Sequence, residues 1–264
     1  MRSRFASIFL FALLGCGSSR AAESVAYARA AEVDDGEGAL KTVIDLRDLK
    51  MMPDAYEWFE FRPQVKKLIL AGAAEGKHVA ILWYTTADGG VGLHYHAKTE
   101  SVYVIDGTQT DAKGVYPTGS IYFNPPGSGH QITRSSGFFI LAYASPPNFS
   151  NTAAIGEYTP LRIDTAAKEL TSTYAFAKQS DGVFVYALPL DASGGMKAQL
   201  MELKPAAATT YSGNYMLVLR GSCVVDGITH GPSKLVVAKG VEPQRYELAS
   251  AANSSSCVTL GVSF

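Results

Sequence analysis

Short apolar runs recur along this chain, each closed off by Gly, Pro, Asn or Asp. The first group comprises Val79 to Tyr84, Ser101 to Ile105, Ser120 to Phe123 and Phe138 to Tyr143. Their length and their Val, Ile, Tyr and Phe content predict β-strands. A helical period surfaces only around Pro63 to Ala71. Ser145-Pro146-Pro147-Asn148 interrupts the pattern, and residues 146–160 read as a linker. A second group follows: Val183 to Leu188, Lys197 to Leu203, Tyr215 to Leu219, Lys234 to Ala238, and Cys257 to Val262. Many short strands at regular spacing point to a sandwich or a barrel.

The two groups share a register. Val102 to Thr108 superposes on Met216 to Ser222 at an offset of 114, and the same offset sets Ile121 to Phe123 on Leu235 to Val237. One offset that fits two separate strands predicts a duplicated, all-β fold of two tandem antiparallel barrels. Residues 41–145 would form the first barrel and residues 161–264 the second. Chance likeness between apolar strands is the competing explanation.

The N-terminus is a different kind of segment. Arg2 and Arg4 precede an apolar run from Phe5 to Leu14, long enough for a signal-peptide core and too short to span a bilayer. Leu13-Leu14-Gly15-Cys16 resembles a bacterial lipoprotein cleavage box, so residues 1–16 read as a signal peptide with Cys16 lipidated. Ordinary export, with cleavage near Ser19-Arg20-Ala21 or Ala26-Tyr27-Ala28, is the alternative. Residues 17–40, rich in Ala, Ser, Gly and acids, read as a tether. The expected location is the periplasm or the outer membrane, with the lipid anchor as the membrane contact. Export permits a disulfide between Cys223 and Cys257, though two small buried hydrophobes explain them equally well.

Composition narrows the function classes. Apolar residues make up 47% and charged ones 18%, which fits a globular chain and argues against disorder. With a net charge of −1 and no basic run, a nucleic-acid footprint is absent. The balance as a whole selects no acidic substrate. A homodimer is left open.

The informative stretch runs from Gly89 to Gly107. On a strand, side chains two apart share a face, so His94 and His96 project together, and Glu100 has the same parity after a short bend. Gly119 to His130 supplies a further imidazole beyond a Pro125–Gly127 turn. Three imidazoles and a carboxylate suit a divalent transition metal, with iron, manganese, zinc, nickel and copper all admissible. His78 and His230 stand apart and read as core residues.

These stretches resemble the two motifs of the cupin superfamily, H-x-H-x3-E-x6-G from His94 to Gly107 and G-x5-P-x-G-x2-H from Gly119 to His130. Asp88 departs from the first pattern and Arg134 from the second, both away from the ligand positions. The resemblance implies two jelly-roll barrels, a bicupin, with one metal near a mouth of the first and His94, His96, Glu100 and His130 as its ligands. Asp54 to Leu68 more loosely resembles the approach segment of ChrR-like cupins of the anti-sigma-factor type. The offset of 114 carries the ligand positions onto Ala208, Thr210, Asn214 and Gln244, which predicts a second barrel without metal. Aromatic residues Trp83, Tyr84, Tyr95, Tyr103, Tyr122 and Phe123 are candidates for the cavity wall. Two functions fit: a metal-dependent enzyme of dioxygenase type acting on a small molecule, or a non-catalytic module that binds or senses a metal or small ligand. No catalytic residue beyond the ligands is assigned.

Overall fold

The computed structural model describes residues 30–34, 40–251 and 256–264. The expected signal peptide with Cys16, and the 17–40 tether apart from 30–34 and 40, lie outside them. The structure is built from antiparallel strands. The first set contains β1 (Ala30–Asp34), β2 (Leu40–Asp45), β3 (Phe59–Arg62), β4 (Val65–Gly72), β5 (His78–Tyr95), β6 (Glu100–Asp111), β7 (Gly114–Pro117), β8 (Ser120–Asn124) and β9 (Gly129–Tyr143). The second contains β10 (Leu161–Asp164), β11 (Ala177–Ser180), β12 (Val183–Ala187), β13 (Lys197–Leu203), β14 (Ala208–Gly213), β15 (Tyr215–Gly221), β16 (Cys223–Val225), β17 (Ile228–His230), β18 (Lys234–Ala238), β19 (Gln244–Ser250) and β20 (Cys257–Ser263). Two short helices, α1 (Leu46–Met51) and α2 (Leu170–Thr173), follow β2 and β10.

One sheet runs β10-β8-β6-β9-β5-β4-β3, with β7 on β6; a second runs β1-β2-β18-β15-β20-β13-β12-β11; a third runs β14-β19-β16-β17. The pairings repeat. Val102 opposes Tyr122 on β6 and β8, and Met216 opposes Val236 on β15 and β18. Each set also takes a strand from across the sequence midpoint. β2 pairs with β18, and β10 pairs with β8.

Side-chain alternation divides the core. Ile121 and Phe123 turn to a shared layer with Leu217, Val237 and Leu260, which draws on both strand sets. Tyr122, Val102 and Val104 turn the other way, into the interior of the first set. Met216, Val218 and Val236 do the same in the second. Successive residues of a strand point to opposite faces, so each strand feeds both layers.

The helical stretch expected around Pro63 to Ala71 is instead strand β4. Gln64 takes φ 64 in the turn between β3 and β4. Beyond it, the inward positions begin Val65, Lys67, and the polar Lys67 hides the period of two that a strand would show. The helix that does form, α1, is capped by Asp45, whose Oδ1 accepts from Arg47 N at 2.9 Å, and it buries Leu46 and Leu49.

Cys223 and Cys257 are bridged, joining β16 to β20. Among the described residues no helix is long and apolar enough to cross a membrane.

Candidate metal centre

His94 lies near the end of the long strand β5, directly opposite His130 on β9. His96 and Thr99 belong to the bend that follows, and Glu100 opens β6. The bend is tied to the turn of the second motif: His96 N donates to Ser128 O, and Gly127 N to His96 O, both at 2.8 Å. Gly127 (φ 81) makes that turn, a conformation that glycine adopts without penalty. Gly107 has φ 82, and a Cβ there would collide with the Ser136 carbonyl. These backbone constraints explain the fixed glycines of the pattern.

The four side chains converge. One ligand atom from each of His94, His96, Glu100 and His130 lies within 4.8 Å of the others, and all four residues are buried. Glu100 Oε2 is 3.3 Å from His96 Nε2 and 3.3 Å from His130 Nε2. Both ring nitrogens of His96 are buried without a hydrogen-bond partner. A buried imidazole left unsatisfied is costly, and an ion at this point would satisfy it. The residues therefore fit a divalent transition metal.

The surroundings fix which nitrogen faces inward. His94 Nδ1 is 2.8 Å from Gly92 O, and His130 Nδ1 is 2.9 Å from Asp111 Oδ2. A proton on Nδ1 serves both contacts and leaves Nε2 to bind. Asn124 Nδ2 donates to Glu100 Oε2 at 2.7 Å. Burial, with repulsion from His130 added, pushes His94 down to about 4. Burial pushes His96 down to about 3, so both rings are neutral at pH 7. Burial opposes the charge of Glu100, but the His96 and His130 imidazoles hold its carboxyl well below the usual range. Burial also opposes a charge on His130, yet its bonds to Asp111 and Glu100 raise it to about 9.

Asp111 and Asn124 are site residues that sequence reasoning missed. Asn124 opposes Glu100 on the paired strands β8 and β6, which only the register reveals. Asp111 is eleven positions after Glu100, an odd separation that parity assigns to the opposite face. A bulge between Val104 and Asp106 reverses the alternation and turns Asp111 inward. The expected linker is also part of the site: Asn148 pairs with Tyr95, and the Phe149 ring lies 5.2 Å from that of His94.

Of the aromatic candidates, Tyr84 and Tyr122 line the first interior, where both contact Gln109. Trp83, Tyr103 and Phe123 instead pack in or against the shared layer. Tyr95 is half-buried beside the linker. His230 is buried, as expected. His78 is buried as well but does not lack a partner, because its Nε2 is 2.7 Å from Lys67 Nζ.

The second set departs from the expected correspondence. Gln244 opposes Gly213, as His130 opposes His94, so Gly213 and not Ala208 occupies the His94 place. Ala208 and Thr210 face outward. Asn214 follows Gly213 directly, so the bend that carries His96 has no counterpart. Tyr211 packs its ring where a Cβ at Gly213 or Gly261 would sit. Asn214 bonds to Val241 O and Phe264 N, and Gln244 to Lys239 O. Among the described residues the first set holds the one candidate metal group.

Residues 47–146 match the ChrR cupin-like domain family. No curated protein matches the chain. Among solved structures, a cupin 2 conserved barrel domain protein from Leptotrichia buccalis is similar at 10% identity and a TM-score of 0.52, over 83% of this chain and 94% of that one. A putative dioxygenase from Nostoc punctiforme gives 10% and 0.53, over 84% and 82%. A variant of the salicylate 1,2-dioxygenase of Pseudoaminobacter salicylatoxidans gives 12% and 0.53, over 84% of each chain. At these identities the likeness concerns the fold. The two motifs and the family match together mark residues 47–146 as a cupin-like domain.

Proposed function

We propose that this protein is a bicupin whose first barrel holds one divalent transition metal and acts as a metal-dependent enzyme of dioxygenase type on a small molecule. The observation that carries this reading is the buried convergence of His94, His96, Glu100 and His130. Four protein ligands leave a five- or six-coordinate ion with open positions, and such an ion can activate dioxygen or polarise a chelating substrate. The chain's own residues prepare this. Asp111 and Gly92 hold two imidazoles with Nε2 inward, Asn124 orients Glu100, and the surrounding aromatic interior excludes water. Two of the fold neighbours carry dioxygenase names, which suits the reading, while the ligand set supplies its chemical basis. The second barrel, filled by Tyr211, is proposed to be a metal-free packing partner.

The test is metal analysis of protein isolated from its native compartment, followed by dioxygen-uptake assays on the loaded protein with small oxygen-rich and aromatic compounds. Stoichiometric iron or manganese with substrate-dependent uptake supports the enzyme. Ligand binding without turnover would leave a sensing module instead.

Export is part of the proposal. The Cys223–Cys257 bridge suits an oxidising compartment. Intact-mass measurement on membrane fractions checks it: a mature chain starting at an acylated Cys16 supports the lipoprotein, and a lipid-free start near Ala22 supports plain secretion.

A further inference from the structure

The interior of the metal barrel contains a lysine that the metal site does not use. Lys67, on β4, is 2% exposed. His78 Nδ1 is 2.8 Å from Gly76 O, which leaves the His78 Nε2 lone pair to accept from Lys67 Nζ at 2.7 Å. That contact uses one of three ammonium donors. Two aromatic faces are also close, with Nζ 4.7 Å from the centre of the Phe61 ring and 5.2 Å from that of Tyr143. Tyr143 in turn stacks on the ligand His96, with 6.2 Å between ring centres.

A second cation borders the same Phe61 ring. The Arg62 guanidinium lies 4.6 Å from the centre of the same Phe61 ring and 4.4 Å from that of Phe149, and Phe149 packs on the ligand His94. Arg62 donates to the Phe61 carbonyl. Among the described residues neither cation forms an ion pair. Each therefore stands one aromatic ring away from a metal ligand. With a divalent ion bound, the ion and these two cations outweigh the charges of Glu100 and Asp111. A buried excess of positive charge is costly unless an anion compensates it.

We propose that the substrate or ligand of the metal barrel is a small carboxylic acid, bound as its carboxylate by Lys67 and Arg62 between the Phe61, Tyr143 and Phe149 rings. The inference rests on the metal-centre reading. It gives the barrel a local preference for anions that the near-neutral net charge does not disclose.

The mature chain, loaded with cobalt(II) as a redox-quiet probe, is titrated with acetate and benzoate and, in parallel, with acetamide and benzamide. Calorimetry gives the affinities, and the visible cobalt spectrum reports ligand entry. At least one carboxylate should bind at least about tenfold more tightly than its amide. Lys67→Met should weaken that carboxylate by about ten- to a hundredfold, the value of a charged hydrogen bond, with cobalt stoichiometry unchanged. Arg62→Gln, at a half-buried position that tolerates change, should weaken it in the same direction. Lys67→Arg should restore part of the preference.

An equal affinity for acids and amides overturns the proposal. So does a preference that survives both Lys67→Met and Arg62→Gln, since the ion alone would then select the anion. If the parent takes up no cobalt at all, the metal-centre reading fails and this inference fails with it. If cobalt binds stoichiometrically and the preference is absent, only this inference fails.

Discussion

Asp111 Oδ2 lies 2.9 Å from His130 Nδ1, and this contact turns the opposite nitrogen of His130 toward Glu100. Asp111 is itself fixed. Its Oδ1 accepts from the backbone N–H groups of Lys113 at 2.7 Å and Gly114 at 3.1 Å, and the Tyr116 hydroxyl lies 3.4 Å away. The tight turn between β6 and β7 thereby sets the orientation of an imidazole on β9. A carboxylate behind a ligating histidine also increases the basicity of the ring.

Asp111→Asn should therefore weaken metal binding by about 10- to 100-fold, the usual cost of losing such a partner. The fold should persist, because the amide is isosteric. Competition titration against a chromophoric chelator measures the change. An unchanged affinity would show that the Asp111 contact does not tune the site.

His96→Ala removes a ligand whose two nitrogens make no hydrogen bond within the protein. Metal stoichiometry should drop sharply while the melting temperature of the metal-free protein changes little. Gln244→Ala, at the His130 place of the second strand set, is the control and should leave metal content unchanged. Full stoichiometry in His96→Ala would show that the ligands are misassigned.

The sequence discloses the parts of this site that depend on spacing. His94, His96 and Glu100 follow from strand parity, and His130 from the turn residues around Pro125. The parts that depend on partners are not legible in this way. Asn124 requires the β6–β8 register, Asp111 a bulge, and Lys67 a polar residue at an inward strand position that reads as helix. For the fold, the offset of 114 holds from β15 to β19 but fails on β14, where the bend between the motifs is deleted. The pairing of β2 with β18 and of β10 with β8 leaves no mark in local patterning, because each is a contact across the chain.

Metal uptake should release a proton. In the metal-free protein His130, raised to about 9 by Asp111 and Glu100 against its burial, is protonated at pH 7, whereas His94 and His96 are already neutral. An ion at His130 Nε2 must displace that proton. Apparent affinity should therefore climb about tenfold per pH unit from roughly pH 6 to 8 and level off above about 9. The metal-free fold follows the opposite trend for this group. A folded-state value above the unfolded one gives stability that is complete below about 6.5 and lost as pH rises through 9. Calorimetry in buffers of different ionisation enthalpy counts the released proton. An affinity independent of pH between 6 and 8 would contradict this assignment.

Reducing the Cys223–Cys257 bridge should destabilise the second strand set by about 3–4 kcal/mol, the loop-closure value for a sequence separation of 34. Cys223→Ala with Cys257→Ala should lower the denaturant midpoint accordingly. The candidate metal ligands are all in the first strand set, so metal affinity per folded molecule should hold. If metal affinity fell with the bridge, the two strand sets would be coupled more tightly than their shared layer suggests.

Lys67 provides a test in which a substitution should stabilise. Burial, the dominant effect, pushes its amine down to about 8, with the nearby charge of Glu100 opposing in part. The folded protein therefore holds this proton less tightly than the unfolded chain, whose lysine titrates near 10.4. Below pH 8 the folded state bears the whole cost of a buried ammonium, up to about 3 kcal/mol, and the cost is relieved as pH rises from 8 toward 10.4. Lys67→Met keeps the length and apolar bulk of the side chain and removes the charge. It also leaves His78 Nε2 without its donor, which takes back about 1 kcal/mol. The net gain near pH 7 should raise the melting temperature by several degrees and shrink to nothing above pH 10. Paired with the loss of carboxylate affinity, such a gain would show that Lys67 is kept for binding at the expense of stability. A lower melting temperature at pH 7 would instead make the Lys67–His78 pair a structural clamp.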